Sequence, residues 1–135
     1  MNPSLEIARR FLDRAKGDGQ AYITLVADPK IPVWILGFHA QQAVEKSLRA
    51  VLAAASIEFP RTHNLSMLVE LLHRSRVPLP PDADELPQLT PFGSALRYGD
   101  LPDETDATLD RSWAGQCIDR TIRWAESFVS KVQAS

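Results

Sequence analysis

The sequence predicts an all-α fold, an up-and-down bundle of four to five helices, with residues 1–135 forming one domain. Apolar residues recur at three-and-four spacing through most of the chain. No segment alternates apolar and polar residues as a half-buried strand would, and Pro and Gly fall between the periodic segments. A chain of 135 residues that is 44% hydrophobic and 24% charged has the composition of a globular domain and the length to bury its own core.

Asn2-Pro3 is a good first-helix start, because Asn can cap and Pro suits the first helical position. Leu5, Ala8, Leu12, Ala15, Tyr22 and Val26 continue the helix to about Ala27, with Gly17 and Gly19 each weakening it by up to ~1 kcal/mol. Asp28-Pro29-Lys30-Ile31-Pro32 breaks the chain. A second helix follows from about Pro32 to Ser56, its apolar side carrying Trp34, Ile35, Phe38, Leu48, Val51, Leu52 and Ala55. Asn64 is an N-cap for a third helix with Leu65, Leu68, Val69 and Leu72. Residues 77–88, VPLPPDADELPQ, hold too many prolines for an interior helix and read as a loop. Thr90-Pro91 then makes a cap and first-turn pair for a short fourth helix with Phe92 and Leu96. The last helix is expected from about Glu104 to Val132, with Leu109, Trp113, Cys117, Ile118, Ile122, Ala125 and Phe128 on its buried stripe. The acidic cluster Asp103, Glu104, Asp106 and Asp110 complements the positive end of its dipole.

Several function classes drop out. No apolar run approaches the roughly 20 residues needed to span a bilayer, so no membrane association is expected. The stretch MNPSLEIARRFLDR has no secretory leader pattern, and the single Cys117 suits a reducing compartment, so the expected location is cytoplasmic. The net charge of −2 divides into +3 over residues 1–76 and −5 over 77–135, which excludes a strongly basic nucleic-acid footprint over the whole chain. There is no phosphate-binding Gly-rich loop and no nucleophile elbow. With one Cys and three scattered His, a zinc site has too few ligands. Glu70-Leu71-Leu72-His73 has the Glu-x-x-His spacing of carboxylate-bridged metal bundles, but the second copy such centres need is missing. No metal and no cofactor are expected, and His73 reads as a surface or boundary histidine.

Three polar clusters stand out. In the second helix, Phe38, Gln42, Glu45 and Arg49 fall close to one face with Gln41 and Lys46 flanking, so polar groups interrupt the apolar stripe. A buried Glu45 would need partners, whereas a half-exposed one would simply pair with Arg49 at i,i+4. Arg61-Thr62-His63-Asn64 precedes the third helix and reads as capping, and Arg97-Tyr98-Gly99-Asp100 reads as a helix C-terminus stopped by Gly99.

Together, FHAQQAVEKSLRAVL (38–52), Thr62-His63-Asn64-Leu65 and Arg97-Tyr98-Gly99-Asp100 resemble the HEPN domain (higher eukaryote and prokaryote nucleotide-binding) in order and spacing. The resemblance implies a dimerising bundle of four or five helices. Its relatives are often small prokaryotic proteins encoded beside a minimal nucleotidyltransferase, and some are RNase toxins restrained by that partner. It also implies that Gln42, Glu45 and Lys46 face an inter-helix groove or dimer seam near Arg97 and Tyr98. RNase-type members resemble one another in an Arg followed four to six residues later by His. None of His39, His63 and His73 follows an Arg at that distance. The expectation is therefore a non-catalytic homodimeric module for a nucleotide-like or RNA ligand, or for a nucleotidyltransferase partner as in toxin–antitoxin pairs. Arg49, Arg61 and Arg97 would be its phosphate contacts, Tyr98 its stacking face, and His63 and Lys46 its auxiliaries. The alternatives are an RNA-cleaving toxin with a divergent site on His63 and Arg97, and a purely structural dimer.

Overall fold

Helix α1 (Pro3–Val26) and helix α2 (Val33–Ala54) flank the Asp28–Pro32 break where the proline pattern puts it. The computed structural model describes residues 3–93 and 108–135, and continues through α3 (Leu65–Arg74), a 3-10 helix (Leu86–Gly93) and α4 (Arg111–Ala134). The protein is an all-α bundle, with no strand among the described residues. No described helix is long and apolar enough to cross a membrane.

Helix α2 is the central element. It packs against α1, α4, the 3-10 helix and α3, and α1 also packs on α4. Leu36, Ala40, Ala43, Val44, Leu48, Val51 and Leu52 of α2 are fully buried, surrounded by Tyr22 from α1, Leu65, Leu68 and Leu72 from α3, Leu86 and Leu89 from the 3-10 helix, and Ala114 and Ala125 from α4. Of the two glycines in α1, Gly17 meets nothing, whereas a Cβ at Gly19 would come within 3.1 Å of Ile122 Cδ1. The second weakens the helix locally but lets α1 approach α4.

Both α2 and α3 end in the same way, without glycine. Ser56 and Arg76 each adopt the left-handed conformation at φ 59. In α2, Ile57 N donates to Leu52 O at 2.9 Å and Ser56 N to Ala53 O at 3.0 Å. In α3, Val77 N donates to Leu72 O at 3.0 Å and Arg76 N to His73 O at 3.1 Å. These paired bonds satisfy the last carbonyls in the Schellman arrangement. They stop α2 at Ala54, two residues short of the Ser56 expected from the apolar pattern.

Two further expectations need correction. Thr90-Pro91 does not start a helix; it lies inside the 3-10 helix, which begins at Leu86 within the proline-rich stretch expected to be all loop. Pro87 falls in its first turn, where the i→i+3 ladder uses no N–H, while Pro91 lies inside and gives up one ladder bond. Thr90 does cap a helix, but a different one: its Oγ1 accepts from Leu65 N at 3.2 Å at the start of α3, beside Asn64, whose Oδ1 accepts from Met67 N at 3.3 Å. Leu96 lies outside the described residues. Helix α4 begins at Arg111, not near Glu104, because Asp110 takes the N-cap and accepts from Trp113 N at 3.0 Å. Asp103, Glu104 and Asp106 are outside the described residues, and Leu109 precedes the helix.

The connection between α3 and α4 is fastened to α4 by two indoles. Trp124 Nε1 donates to Pro78 O at 3.2 Å and Trp113 Nε1 to Glu85 Oε2 at 3.0 Å.

Candidate functional site

The polar residues of α2 do not form a wet face. Gln41 is fully buried, Glu45 is 4% exposed and Gln42 8% exposed. The backbone direction of α2 aims them at the turn that carries Thr62 and His63 into α3. Gln42 Nε2 donates to Gln41 Oε1 at 2.7 Å, and Gln41 Nε2 donates both to Glu45 Oε1 at 3.0 Å and to His63 O at 3.1 Å. His63 Nδ1 lies 2.7 Å from Glu45 Oε1. Arg49 closes the far side. Its Nη2 donates to Thr62 O at 2.6 Å, and its Nε sits 3.2 Å from Glu45 Oε2 as a charge contact that is not aligned as a hydrogen bond. Its guanidinium carbon lies 5.6 Å from the centre of the Phe59 ring. A carboxylate this buried is tolerable only because both oxygens face donors or cations. The ensemble ties α2 to the backbone before α3.

Gly93 caps the network from the 3-10 helix. A Cβ there would lie 2.6 Å from Gln41 Cδ, so only a bare backbone fits against the amide.

A second polar group sits elsewhere on α2. Lys46 Nζ reaches Asp18 Oδ2 of α1 at 2.6 Å, and His39 Nδ1 lies 3.0 Å from Asp18 Oδ1. Lys46 therefore parts from Glu45, contrary to the expectation that the two share one groove. The sequence-based candidates thus divide. Gln42, Glu45, Arg49 and His63 come together, Lys46 belongs to the Asp18 group, and Arg61 is exposed two residues before His63. Arg97 and Tyr98 lie outside the described residues. Sequence reasoning left Gln41, Asp18, His39 and Phe59 out of the site. The Gln41-Gln42 repeat inside an apolar helix is the one signal that points to the first of them.

Glu70 and His73 remain surface residues of α3, Glu70 standing 3.9 Å from Arg74 with its side chain 61% exposed.

The HEPN domain family model matches residues 32–132. The chain belongs to the HEPN family. The match starts where α2 starts and ends inside α4, so the polar core of α2 and the Thr62–His63 turn lie wholly within the HEPN domain. Comparison with curated proteins and with solved structures gave no match. In this HEPN domain the hydrogen bonds of Gln41, Glu45 and Arg49 run to the same short turn, so helix α2 dictates where that turn, with Arg61 and His63, is presented.

Proposed function

We propose that this HEPN domain is a non-catalytic, homodimeric module that binds a nucleotide-like ligand, either alone or together with a minimal nucleotidyltransferase partner. The observation that carries the reading is the sharing of Glu45 by Arg49 and His63. Cleavage at a ribose 2′-OH needs an acid or base and a cation directed at the substrate. Here the cation nearest His63 in the network, Arg49, is only 13% exposed and already engaged by a carboxylate and a backbone carbonyl. The α2 signature then acts as a support, and ligand contact falls to the turn it holds, with exposed Arg61 and part-exposed His63. Arg97 and Tyr98 complete the candidate set from the sequence.

Titration calorimetry with mononucleotides and short RNA tests this. Saturable binding is expected that weakens with added salt, as for charge-assisted phosphate contacts. Arg61→Ala and Arg97→Ala should each reduce affinity, and the change at exposed Arg61 should leave stability within about 0.5 kcal/mol, as for ordinary surface changes. No saturable binding, with or without a nucleotidyltransferase partner, would leave a structural dimer. RNA degradation abolished by His63→Ala would establish the divergent toxin instead.

The homodimer is supported by an open groove of about 220 Å³ between α1 and α4, walled by Ile23, Gly19, Gly115, Ile118 and Ile122, with Ile23 63% exposed beside it. Light scattering should give twice the chain mass of 15.0 kDa. A monomer at micromolar concentration would overturn the dimer.

A further inference from the structure

Away from the α2 network, the loop before the 3-10 helix brings two carboxylates against the only cysteine. Glu85 N and Leu86 N both donate to Asp82 O, at 2.9 and 3.0 Å, and this tight turn brings the Asp82 and Glu85 carboxylates up to Cys117 on α4. One ligand atom from each of Asp82, Glu85 and Cys117 lies within 4.8 Å of the other two. Asp82 Oδ2 is buried and has no hydrogen-bond partner among the described residues, an uncommon and costly state for a carboxylate oxygen. Cys117 beside the two carboxylates is 1% exposed. Among the described residues the cation nearby is Arg120, whose Nη1 donates to Asp82 Oδ1 at 3.4 Å from a side chain 53% exposed, long enough and free enough to swing into solvent. Glu85 is already oriented by the indole of Trp113 through Oε2.

We propose that Asp82, Glu85 and Cys117 form a binding site for one zinc-class divalent cation, with one thiolate and two carboxylate ligands and water in the remaining position. Thiolate sulfur selects against magnesium and calcium, while two carboxylates suit a borderline ion such as Zn²⁺ or Co²⁺. Ligand bonds of about 2.0–2.3 Å require the three groups to close in by a modest side-chain movement. The Trp113–Glu85 bond acts as the outer-shell contact that fixes a ligating carboxylate. On binding, the Cys117 S–H gives its proton to solvent as the sulfur–metal bond forms. Burial first, then the Asp82 and Glu85 charges, push the thiol up to about 12, with Arg120 opposing. The cation would clamp the proline-rich connection to α4, where the two tryptophans already hold it. The His-and-Cys count made from sequence misses such a site because two of its ligands are acidic loop residues.

Titration of the full-length metal-free protein with Co²⁺ tests the proposal. The expected result is one equivalent bound per chain with a near-ultraviolet thiolate-to-cobalt band, displaced by Zn²⁺. Cys117 is the only cysteine, so no other residue of the chain can give that band. Asp82→Asn and Glu85→Gln should each weaken binding at least about tenfold, since even outer-shell changes cost 10–100-fold. Arg120→Ala, which removes the competing charge, should bind at least as tightly as the parent. Circular dichroism confirms that each variant is folded. The proposal is overturned if the folded protein gives no thiolate band, if two chains share one ion, or if both carboxylate variants bind as tightly as the parent.

Discussion

Replacing Glu45 by alanine is expected to destabilise the fold by about 3–5 kcal/mol, the range for removing one partner of a buried ion pair. The substitution leaves the Arg49 guanidinium 13% exposed with its charge uncompensated. It also removes the acceptor of Gln41 Nε2 and the partner of His63 Nδ1. Glu45→Gln, which keeps an acceptor but no charge, should fall between the parent and Glu45→Ala. Urea denaturation measures both. An exposed i,i+4 pair would cost only about 0.3–0.5 kcal/mol, so a loss below about 1 kcal/mol would return Glu45 to the helix surface.

Gly37→Leu is expected to cost about 3 kcal/mol, at the upper end of the range for overpacking a filled core. A Cβ at position 37 would lie 2.2 Å from Phe92 Cδ1 and 2.4 Å from its Cγ, so the root of the ring is in the way rather than a flexible tip. Phe92 cannot readily retreat, because it is 6% exposed and the next residue, Gly93, is pressed on the Gln41 amide. Helix propensity alone would give the opposite sign. Gly17→Leu supplies the control, since nothing lies within 4 Å of its Cβ position and the helix gains about 0.5–1 kcal/mol there. Thermal or urea unfolding should therefore move in opposite directions for the two variants. A stabilised Gly37→Leu would mean that the 3-10 helix is not seated on α2.

Much of the fold is legible from local chemistry. The Asp28–Pro32 break and the Asn64 cap give the starts of α2 and α3 within a residue or so, while Asn2, the expected cap of α1, lies outside the described residues. Helix ends are less legible. Ser56 and Arg76 occupy left-handed positions where glycine is the usual signal, so neither termination is marked in the sequence. The start of α4 is misplaced by reasoning from charge alone, because Asp103 and Glu104 suit a dipole as well as Asp110 does, and only geometry shows which aspartate caps. The 3-10 helix carries no periodic pattern of its own, and its role depends on contacts with Gly37, Gln41 and Leu65, which are distant in sequence.

The site follows the same division. Pairing of Glu45 with Arg49 is legible from their spacing. Its burial is not, because it depends on His63, Thr62 and Phe59 folding over the pair. Lys46, one residue from Glu45, turns to Asp18 because a helix rotates its side chains by about 100° per residue.

Buried Glu45 and half-buried Arg49 form a structural pair that sets the position of the 61–64 turn. A double-mutant cycle on Glu45→Leu and Arg49→Met measures it directly. Each single change strands a charge or several donors, whereas the double change replaces the pair with apolar side chains of similar volume, which is often close to neutral in buried pairs. The expected result is a coupling energy of about 2 kcal/mol or more, the double variant standing well above the sum of its parts. Simple additivity of the two substitutions, within about 0.5 kcal/mol, would contradict a buried coupled pair and leave the turn held by other contacts.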